Sequence, residues 1–173
     1  MKGSTISSEN IIGEVVAYVS GGCEAKLPEE VIRETKHHIL DTLASVVSGS
    51  ELKPGQLAKR FVEKQAGVAE AQVAGSSVVT SAINAAFANG LMAHADETDD
   101  SNPGSSLHPG CSIVPAALAT AERAGVDGMT FLKSVVVGYD IGCRITKALW
   151  RHDPHGGSHS GPSIGGTFGS AAA

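Results

Sequence analysis

The sequence predicts an all-α fold, and three observations support this prediction. Apolar residues recur every three or four positions along most of the 173 residues, which is the period of a helix rather than of a strand. Aromatic residues make up only 4% of the chain, whereas glycine occurs 21 times, so small residues supply much of the apolar bulk. Small side chains let helices approach closely, and we therefore expect tight helix–helix contacts.

The first predicted helix covers Ser8 to Ser20. Ser8 is a good N-cap residue, and the pair Gly21-Gly22 is expected to end the helix. One face of this segment is aliphatic, and a helix with a single apolar face is expected to pack against a core. The residues of that face are Ile11, Ile12, Val15, Val16 and Val19.

A second helix is predicted to begin at Pro28, because proline suits the first turn of a helix. The following Glu29 and Glu30 suit the positive end of the helix dipole, and Gly49 is expected to stop the helix. The residues predicted for its buried face are Ile32, Thr35, Ile39, Leu43, Val46 and Val47. A third, shorter helix is predicted from Lys53 to Gln65.

The middle of the chain contains the most apolar predicted helix, from Thr80 to about Asp100. Residues 71–75 before it form either a brief strand or a loop. The helix is apolar nearly all round, which predicts burial on several sides. Its C-terminal end is acidic, and carboxylates there meet the negative end of the helix dipole. Such an unfavourable arrangement is typical of a functional site.

The second half of the chain is predicted to be helical as well. A loop over residues 101–110 is followed by a short helix from Pro115 to Arg123 and a longer one from Thr130 to Leu149. Gly138 and Gly142 lie four residues apart in the longer helix, so they share one face. We expect another helix to press closely against that face.

Composition excludes several classes of function. The net charge is −5 with no basic run, which argues against a nucleic-acid partner. No apolar stretch is long enough to span a membrane, and the N-terminus lacks the apolar core of a signal peptide. The three cysteines, Cys23, Cys111 and Cys143, have no metal-ligand spacing and are interpreted as free thiols. A reducing, cytoplasmic location is therefore expected.

A dense ionisable cluster, His94-Ala95-Asp96-Glu97-Thr98-Asp99-Asp100-Ser101, is the strongest functional signal, and His108 follows it. Continued as a helix, this segment would place His94, Glu97 and Ser101 on one face. Like charges this close repel and push each other's pKa values apart. Two further interpretations stay open, a solvated acidic helix end and a metal site. The metal ligands would be His94, Asp96, Asp99, Asp100 and His108.

A second group of histidines lies in the predicted glycine–histidine loop over residues 152–166. His152 and His155 are interpreted as exposed loop residues. His159 differs because the glycine-rich segment Gly165 to Gly169 follows it, and such a helix entry can present backbone N–H groups to an anion.

Motifs along nearly the whole chain resemble those of the MmgE/PrpD family. That family includes 2-methylcitrate dehydratase, cis-aconitate decarboxylase and iminodisuccinate epimerase. The motifs are Leu27-Pro28-Glu29-Glu30, Asp41-Thr42-Leu43, Ala88-Asn89-Gly90, Asp99-Asp100-Ser101, His108-Pro109-Gly110, Pro115-Ala116-Ala117-Leu118-Ala119, Gly138-Tyr139 and Gly166-Thr167-Phe168-Gly169.

The resemblance implies an all-α helical domain that forms homodimers, with a smaller α/β lid domain encoded further along. Residues 1–173 would then be part of the helical domain only, without the lid. It also implies a pocket without a metal or iron–sulfur cofactor. By position, the pocket residues fall on Glu97, Ser101, His108 and His159.

Three positions depart from the family pattern. The acidic residue is commonly aspartate, so Asp96 is an alternative to Glu97, and the hydroxyl at Ser101 is often threonine. His159 lies one residue further from the glycine motif than usual, which leaves His155 as an alternative. The lysines and the tyrosine that complete the pocket of relatives are not in this chain.

The predicted function is proton transfer on a small polycarboxylate such as 2-methylcitrate, in a lyase of the dehydratase or decarboxylase type or in a related epimerase. His108 and His159 are predicted to move the proton, Glu97 or Asp96 to orient one of them, and Ser101 to bind substrate. Two other classes remain open: a metal-dependent helical hydrolase, and a non-catalytic remnant that only dimerises.

Overall fold

A computed structural model describes residues 10–22, 24–152 and 160–173. This part of the chain forms seven helices and one antiparallel pair of two-residue strands, which confirms the all-α prediction. The helices are α1 (Ile11–Gly22), α2 (Glu29–Ser50), α3 (Lys53–Gln65), α4 (Ala82–Ala93), α5 (Gly110–Ala124), α6 (Gly128–His152) and α7 (Gly161–Ala172). The strands are β1 (Ala71–Gln72) and β2 (Val79–Thr80). No helix within the described ranges is both long and apolar enough to cross a membrane.

The core lies around α4, which packs against α2, α3 and α5. Its buried face is built mainly from alanines, together with Met92, whose side chain is fully buried. The prediction that α4 is buried on several sides holds only in part, because Ile83, Phe87 and Leu91 are exposed. These larger residues lie on a second stripe, at the four-residue spacing of one helix face.

Two apolar faces differ from the prediction. No residue of α1 is buried, and Ile12 is 74% exposed, because α1 contacts only α6 among the principal helix pairs. On α2, Val47 is exposed while Val46 is buried, since adjacent positions on a helix point about 100° apart. The predicted N-cap Ser8 lies outside the described residues.

The two glycine-based predictions of helix ends have different outcomes. Helix α1 ends at Gly22, which confirms the end predicted at Gly21-Gly22, whereas Gly49 lies inside α2, whose last residue is Ser50. Gly49 is instead a contact residue, because an added Cβ would collide with the backbone carbonyl oxygen of Met92 in α4. The close approach of α2 and α4 therefore explains this glycine better than helix termination does.

The predicted glycine seam between helices is confirmed. A Cβ on Gly138 would lie 2.8 Å from the carbonyl oxygen of Gly169, and one on Gly142 would lie 2.9 Å from that of Gly165. The helix that presses on α6 is α7, which begins inside the segment predicted as a loop. Ser160 is its N-cap, and Pro162 occupies its first turn.

Candidate proton-transfer site

The acidic segment is a loop and not the end of a helix. Helix α4 stops at Ala93, and residues 94–109, called the acidic loop below, connect it to α5. Glu97 has a φ of 56°, in the left-handed region that ends helical geometry. The prediction that His94, Glu97 and Ser101 share one helix face is therefore wrong.

Hydrogen bonds from α2 and within the loop itself stabilise the conformation of the acidic loop. Asp96 accepts hydrogen bonds from Ser48 Oγ in α2 (2.7 Å) and from Thr98 Oγ1 (2.8 Å), and these bonds lower the pKa of its carboxyl group. Further along, Asn102 and Leu107 form an isolated antiparallel bridge, and Leu107 is 1% exposed. The bridge and the buried leucine anchor the loop just before His108.

The centre of the site is Asp99, whose side chain is fully buried. His94 Nδ1 lies 3.0 and 3.1 Å from the two carboxylate oxygens of Asp99, and His108 Nδ1 lies 3.6 Å from Oδ2. The two imidazole rings meet edge to face, with centroids 5.5 Å apart, and both are partly exposed. We call His94, Asp99 and His108 the Asp99 cluster.

The His108 contact has an unusual geometry. A distance of 3.6 Å is too long for a hydrogen bond, and Nδ1 of His108 is a buried nitrogen without a hydrogen-bond partner. An ion pair is still favourable at this distance when the imidazole carries a proton. One buried carboxylate therefore serves two imidazoles that each reach solvent, which suits a group that gains and loses a proton during a reaction.

Cys111 borders the same cluster in the first turn of α5. Its Sγ donates to the backbone carbonyl of His108 at 3.2 Å. Burial, followed by the hydrogen bond and charge of Asp99, raises the pKa of the thiol to about 12. Ligand atoms of His94, Asp99 and Cys111 all lie within 4.8 Å of one another, which is close enough to share a metal ion.

The raised thiol pKa gives a testable prediction. At pH 8 a thiol with a pKa of about 12 is ionised to only ~10⁻⁴, against about a quarter for a free cysteine. After allowance for the greater nucleophilicity of a more basic thiolate, Cys111 should react with iodoacetamide roughly 10²-fold more slowly than free cysteine. Because ionisation follows its own pKa, the rate should keep rising between pH 9 and about 12.

Mass spectrometry of tryptic peptides measures this rate. Asp99→Asn should accelerate alkylation of Cys111, since Asp99 contributes to the raised pKa. A rate at Cys111 in the wild-type chain that equals that of free cysteine would contradict the buried environment described here.

Asp100 points to a different set of partners. Its Oδ1 accepts from the backbone N–H of Gly110 at 2.8 Å, and its Oδ2 accepts from Tyr139 OH at 2.9 Å and lies 3.0 Å from His38 Nδ1. Burial and the charge of Asp100 raise the pKa of Tyr139. We call His38, Asp100, Gly110 and Tyr139 the Asp100 cluster.

The predicted site residues are thus only partly brought together. His108 lies in the Asp99 cluster, whereas Asp96 is engaged by Ser48, and Glu97 and Ser101 are exposed on the acidic loop. The alternatives His155 and His159 lie outside the described residues, as does the side chain of His152.

Sequence reasoning missed several members of the two clusters. Asp99 was named as a candidate metal ligand and not as the orienting carboxylate, although it is the residue that contacts both imidazoles. His38 and Tyr139 lie 62 and 39 positions from Asp100, and no periodicity links residues so far apart. Cys111 had a usable signal, because it follows His108 by three positions at a helix start.

Comparisons with known proteins agree with the motifs. The MmgE/PrpD N-terminal domain matches residues 14–173. A cis-aconitate decarboxylase-like protein of Aspergillus oryzae is 29% identical over 171 residues, which are 94% of this chain and 36% of that protein. Cis-aconitate decarboxylase of Aspergillus terreus is 24% identical over 172 residues, 96% of this chain and 35% of the enzyme.

A human relative matches a smaller share of this chain. Cis-aconitate decarboxylase of Homo sapiens is 28% identical over 153 residues, which are 85% of this chain and 31% of that protein. The chain spans about a third of the length of these curated relatives. The family match over most of the chain, together with the helical fold, shows that this chain belongs to the MmgE/PrpD family and corresponds to its N-terminal domain.

Proposed function

We propose that this chain supplies the proton-transfer histidines of an enzyme acting on a small polycarboxylate. The observation that supports this most is the Asp99 cluster, in which one fully buried carboxylate contacts the Nδ1 atoms of His94 and His108. The relatives named as cis-aconitate decarboxylases support the substrate class.

The proposed chemistry begins at a carbon next to a substrate carboxylate. A neutral imidazole removes the proton from that carbon, and Asp99 stabilises the imidazolium that forms. In a dehydratase, a second acid protonates the departing hydroxyl group, which leaves as water. In a decarboxylase, no C–H proton is removed first: the imidazole starts protonated, carbon dioxide leaves, and the electron pair that remains on carbon takes the proton of the imidazolium. In an epimerase, the proton returns on the opposite face.

His108 remains the proposed proton carrier, with His159 as its proposed partner. The start of α7, which follows His159 in sequence, is held near His108: a Cβ on Gly165 would lie 3.3 Å from Leu107, the residue before His108. The geometry favours Asp99 over Glu97 or Asp96 as the carboxylate that orients His108, because Asp99 is the one in ion-pair contact with it. Ser101, exposed on the same loop, is proposed to bind substrate.

Several finer properties belong to the same proposal. A lyase of the 2-methylcitrate dehydratase type, a metal-free pocket and a homodimer are proposed from the family resemblance, and a cytoplasmic location is proposed from the free cysteines. A protonated histidine supplies one positive charge for a polyanionic substrate, and lysines outside this chain are proposed to supply the others.

Hydrogen–deuterium exchange tests the proposal without fixing the reaction in advance. The purified chain is incubated in D₂O with citrate, 2-methylcitrate and cis-aconitate, and proton NMR follows deuterium incorporation and any new products. The proposal is supported if deuterium enters at a carbon beside a substrate carboxylate in the wild-type chain and this exchange is lost in His108→Gln. Unchanged exchange in His108→Gln would exclude His108 as the proton carrier. The absence of exchange with every substrate would show that residues 1–173 do not carry out this proton transfer by themselves.

A metal-dependent hydrolase is the second candidate, favoured by the proximity of His94, Asp99 and Cys111. This trio differs from the predicted ligand set, because Asp96 and Asp100 are engaged by other side chains. A metal bound there must displace the thiol proton of Cys111. Stoichiometric zinc in the purified chain, lost in Cys111→Ser and kept in Cys143→Ser, would favour this candidate.

A further inference from the structure

Consecutive carboxylates of the acidic loop point to different partners, and the second one has no role in the proposed chemistry. Asp99 contacts His94 and His108, whereas Asp100 binds the backbone N–H of Gly110, the first residue of α5. We propose that Asp100, held by Tyr139, is a positioning residue that fixes His108 relative to Asp99. The functional meaning of this inference rests on the proposed function, but its geometry does not.

The first step of the argument is the bond to Gly110. The first N–H groups of a helix have no partner within the helix, and a carboxylate is favoured there by the helix dipole. Asp100 Oδ1 accepts from Gly110 N at 2.8 Å. Only Pro109 separates Gly110 from His108, and the proline ring restricts its own φ, observed at −72°. The backbone of His108 is therefore joined to Asp100 through a short and stiff link.

The second step is what holds Asp100 itself. Tyr139 of α6 donates to Oδ2 at 2.9 Å, and His38 of α2 places Nδ1 3.0 Å from the same oxygen. The side chain of Asp100 is 9% exposed, so these bonds form largely away from solvent, where a charge-assisted hydrogen bond is strong. Asp100 thus links the start of α5 to two other helices.

The third step is the space around Gly110. A Cβ there would lie 2.5 Å from Thr42 Oγ1, 2.6 Å from Asp100 Oδ1 and 3.0 Å from Tyr139 OH. The polar atoms of the cluster therefore fill the volume that any side chain would need. A substitution at Gly110 must push α5 away from Asp100, and His108 must move with it.

The last step is the sensitivity of the neighbouring contact. His108 Nδ1 already lies 3.6 Å from Asp99 Oδ2, beyond hydrogen-bond distance. His94 differs, because it follows α4 directly and contacts both oxygens of Asp99 at 3.0 and 3.1 Å. Loosening the Asp100 cluster should therefore disturb His108 while leaving His94 in place.

Tyr139→Phe is the principal test, because it removes one hydrogen bond and keeps the ring. The matched control is Tyr18→Phe, since Tyr18 OH donates to another aspartate, Asp140, at 2.7 Å on the exposed side of α6. Histidine-labelled chain is examined by long-range ¹H–¹⁵N NMR at pH 8. We expect the ring nitrogens of His108 to shift in Tyr139→Phe and those of exposed His37 and of His94 to stay unchanged.

Gly110→Ala is a second variant, with Gly128→Ala as its control. Both glycines are the first residues of helices, but a Cβ on Gly128 meets nothing within 4 Å. Gly110→Ala should shift the same His108 signals, and Gly128→Ala should not. Where turnover is measurable, Tyr139→Phe should lower kcat on the order of tenfold with KM within about twofold, as expected for misplacement of a reacting group.

The outcomes separate the two proposals. Unchanged His108 signals in both Tyr139→Phe and Gly110→Ala would overturn the positioning role, and so would an equal His108 shift in Tyr18→Phe. If no substrate is turned over while the His108 shifts appear as expected, the positioning role stands and the proposed function fails. If His108→Gln abolishes exchange but neither cluster variant moves the His108 signals, the positioning role alone fails.

Discussion

Asp99→Asn is expected to lower proton-transfer activity on the order of 10²- to 10⁴-fold, the range found when a carboxylate that orients a catalytic imidazole loses its charge. Asparagine has nearly the same shape, so the buried site stays filled. The amide carries no charge to stabilise an imidazolium at His94 or His108. Its NH₂ group also faces Nδ1 atoms that the carboxylate now contacts, which favours the wrong tautomer of the imidazole.

The deuterium-exchange rate at saturating substrate measures this effect, and circular dichroism checks that the variant remains folded. Asp140→Asn is the matched control, because Asp140 lies on α6 and contacts Tyr18 and Arg144 rather than either site histidine. Its activity should stay within about twofold of the wild-type value, as is usual for a surface ion pair.

Glu97→Gln decides between the geometry and the family resemblance. The resemblance places the acidic pocket residue at Glu97, which is exposed and lies at a positive φ. If Glu97→Gln abolishes exchange and Asp99→Asn leaves it unchanged, Asp99 is not the orienting carboxylate. If Asp99→Asn alone abolishes exchange, the functional acid lies two residues beyond the position that the resemblance implies.

Helix identity could be predicted because it depends on local periodicity and end signals. The proline and acidic pair at the start of α2 and the full extent of α3 are confirmed. The start of α5 was missed because Pro115 was assigned to a first helical turn, although it lies inside the helix. A proline in a helix leaves one carbonyl unpaired, and the sequence alone does not show that the remaining contacts compensate.

The acidic loop could not be predicted because distant side chains determine its conformation. The helical pattern of α4 runs on into residues 94–101, and nothing local marks a stop at Ala93. The stop depends on partners such as Ser48, which lies 48 positions from Asp96 in the sequence. Continuing the helix would have kept the carboxylates together at its negative end, whereas the loop directs Asp99 and Asp100 to separate partners.

The glycine seam between α6 and α7 predicts the largest effect on stability. Gly138→Ala should lower the free energy of unfolding by about 2–3 kcal/mol, because overpacking a close contact outweighs the gain of up to ~1 kcal/mol in helix propensity. The new methyl group would lie 2.6 Å from Ile113 Cγ2 and 2.8 Å from the carbonyl oxygen of Gly169. A backbone carbonyl cannot rotate away, so α7 must shift as a unit.

Urea unfolding followed by circular dichroism measures this cost, with Gly128→Ala as control in the same helix. Nothing lies within 4 Å of a Cβ on Gly128, so its replacement should change the free energy of unfolding by no more than about 0.5 kcal/mol. Equal urea midpoints for Gly138→Ala and Gly128→Ala would show that the packing of α7 does not depend on the absence of a side chain at Gly138. Helix α7 also packs beside Leu107 and Ser112, so a displaced α7 should disturb the acidic loop at His108. The stability of the glycine seam is thereby linked to the geometry of the site.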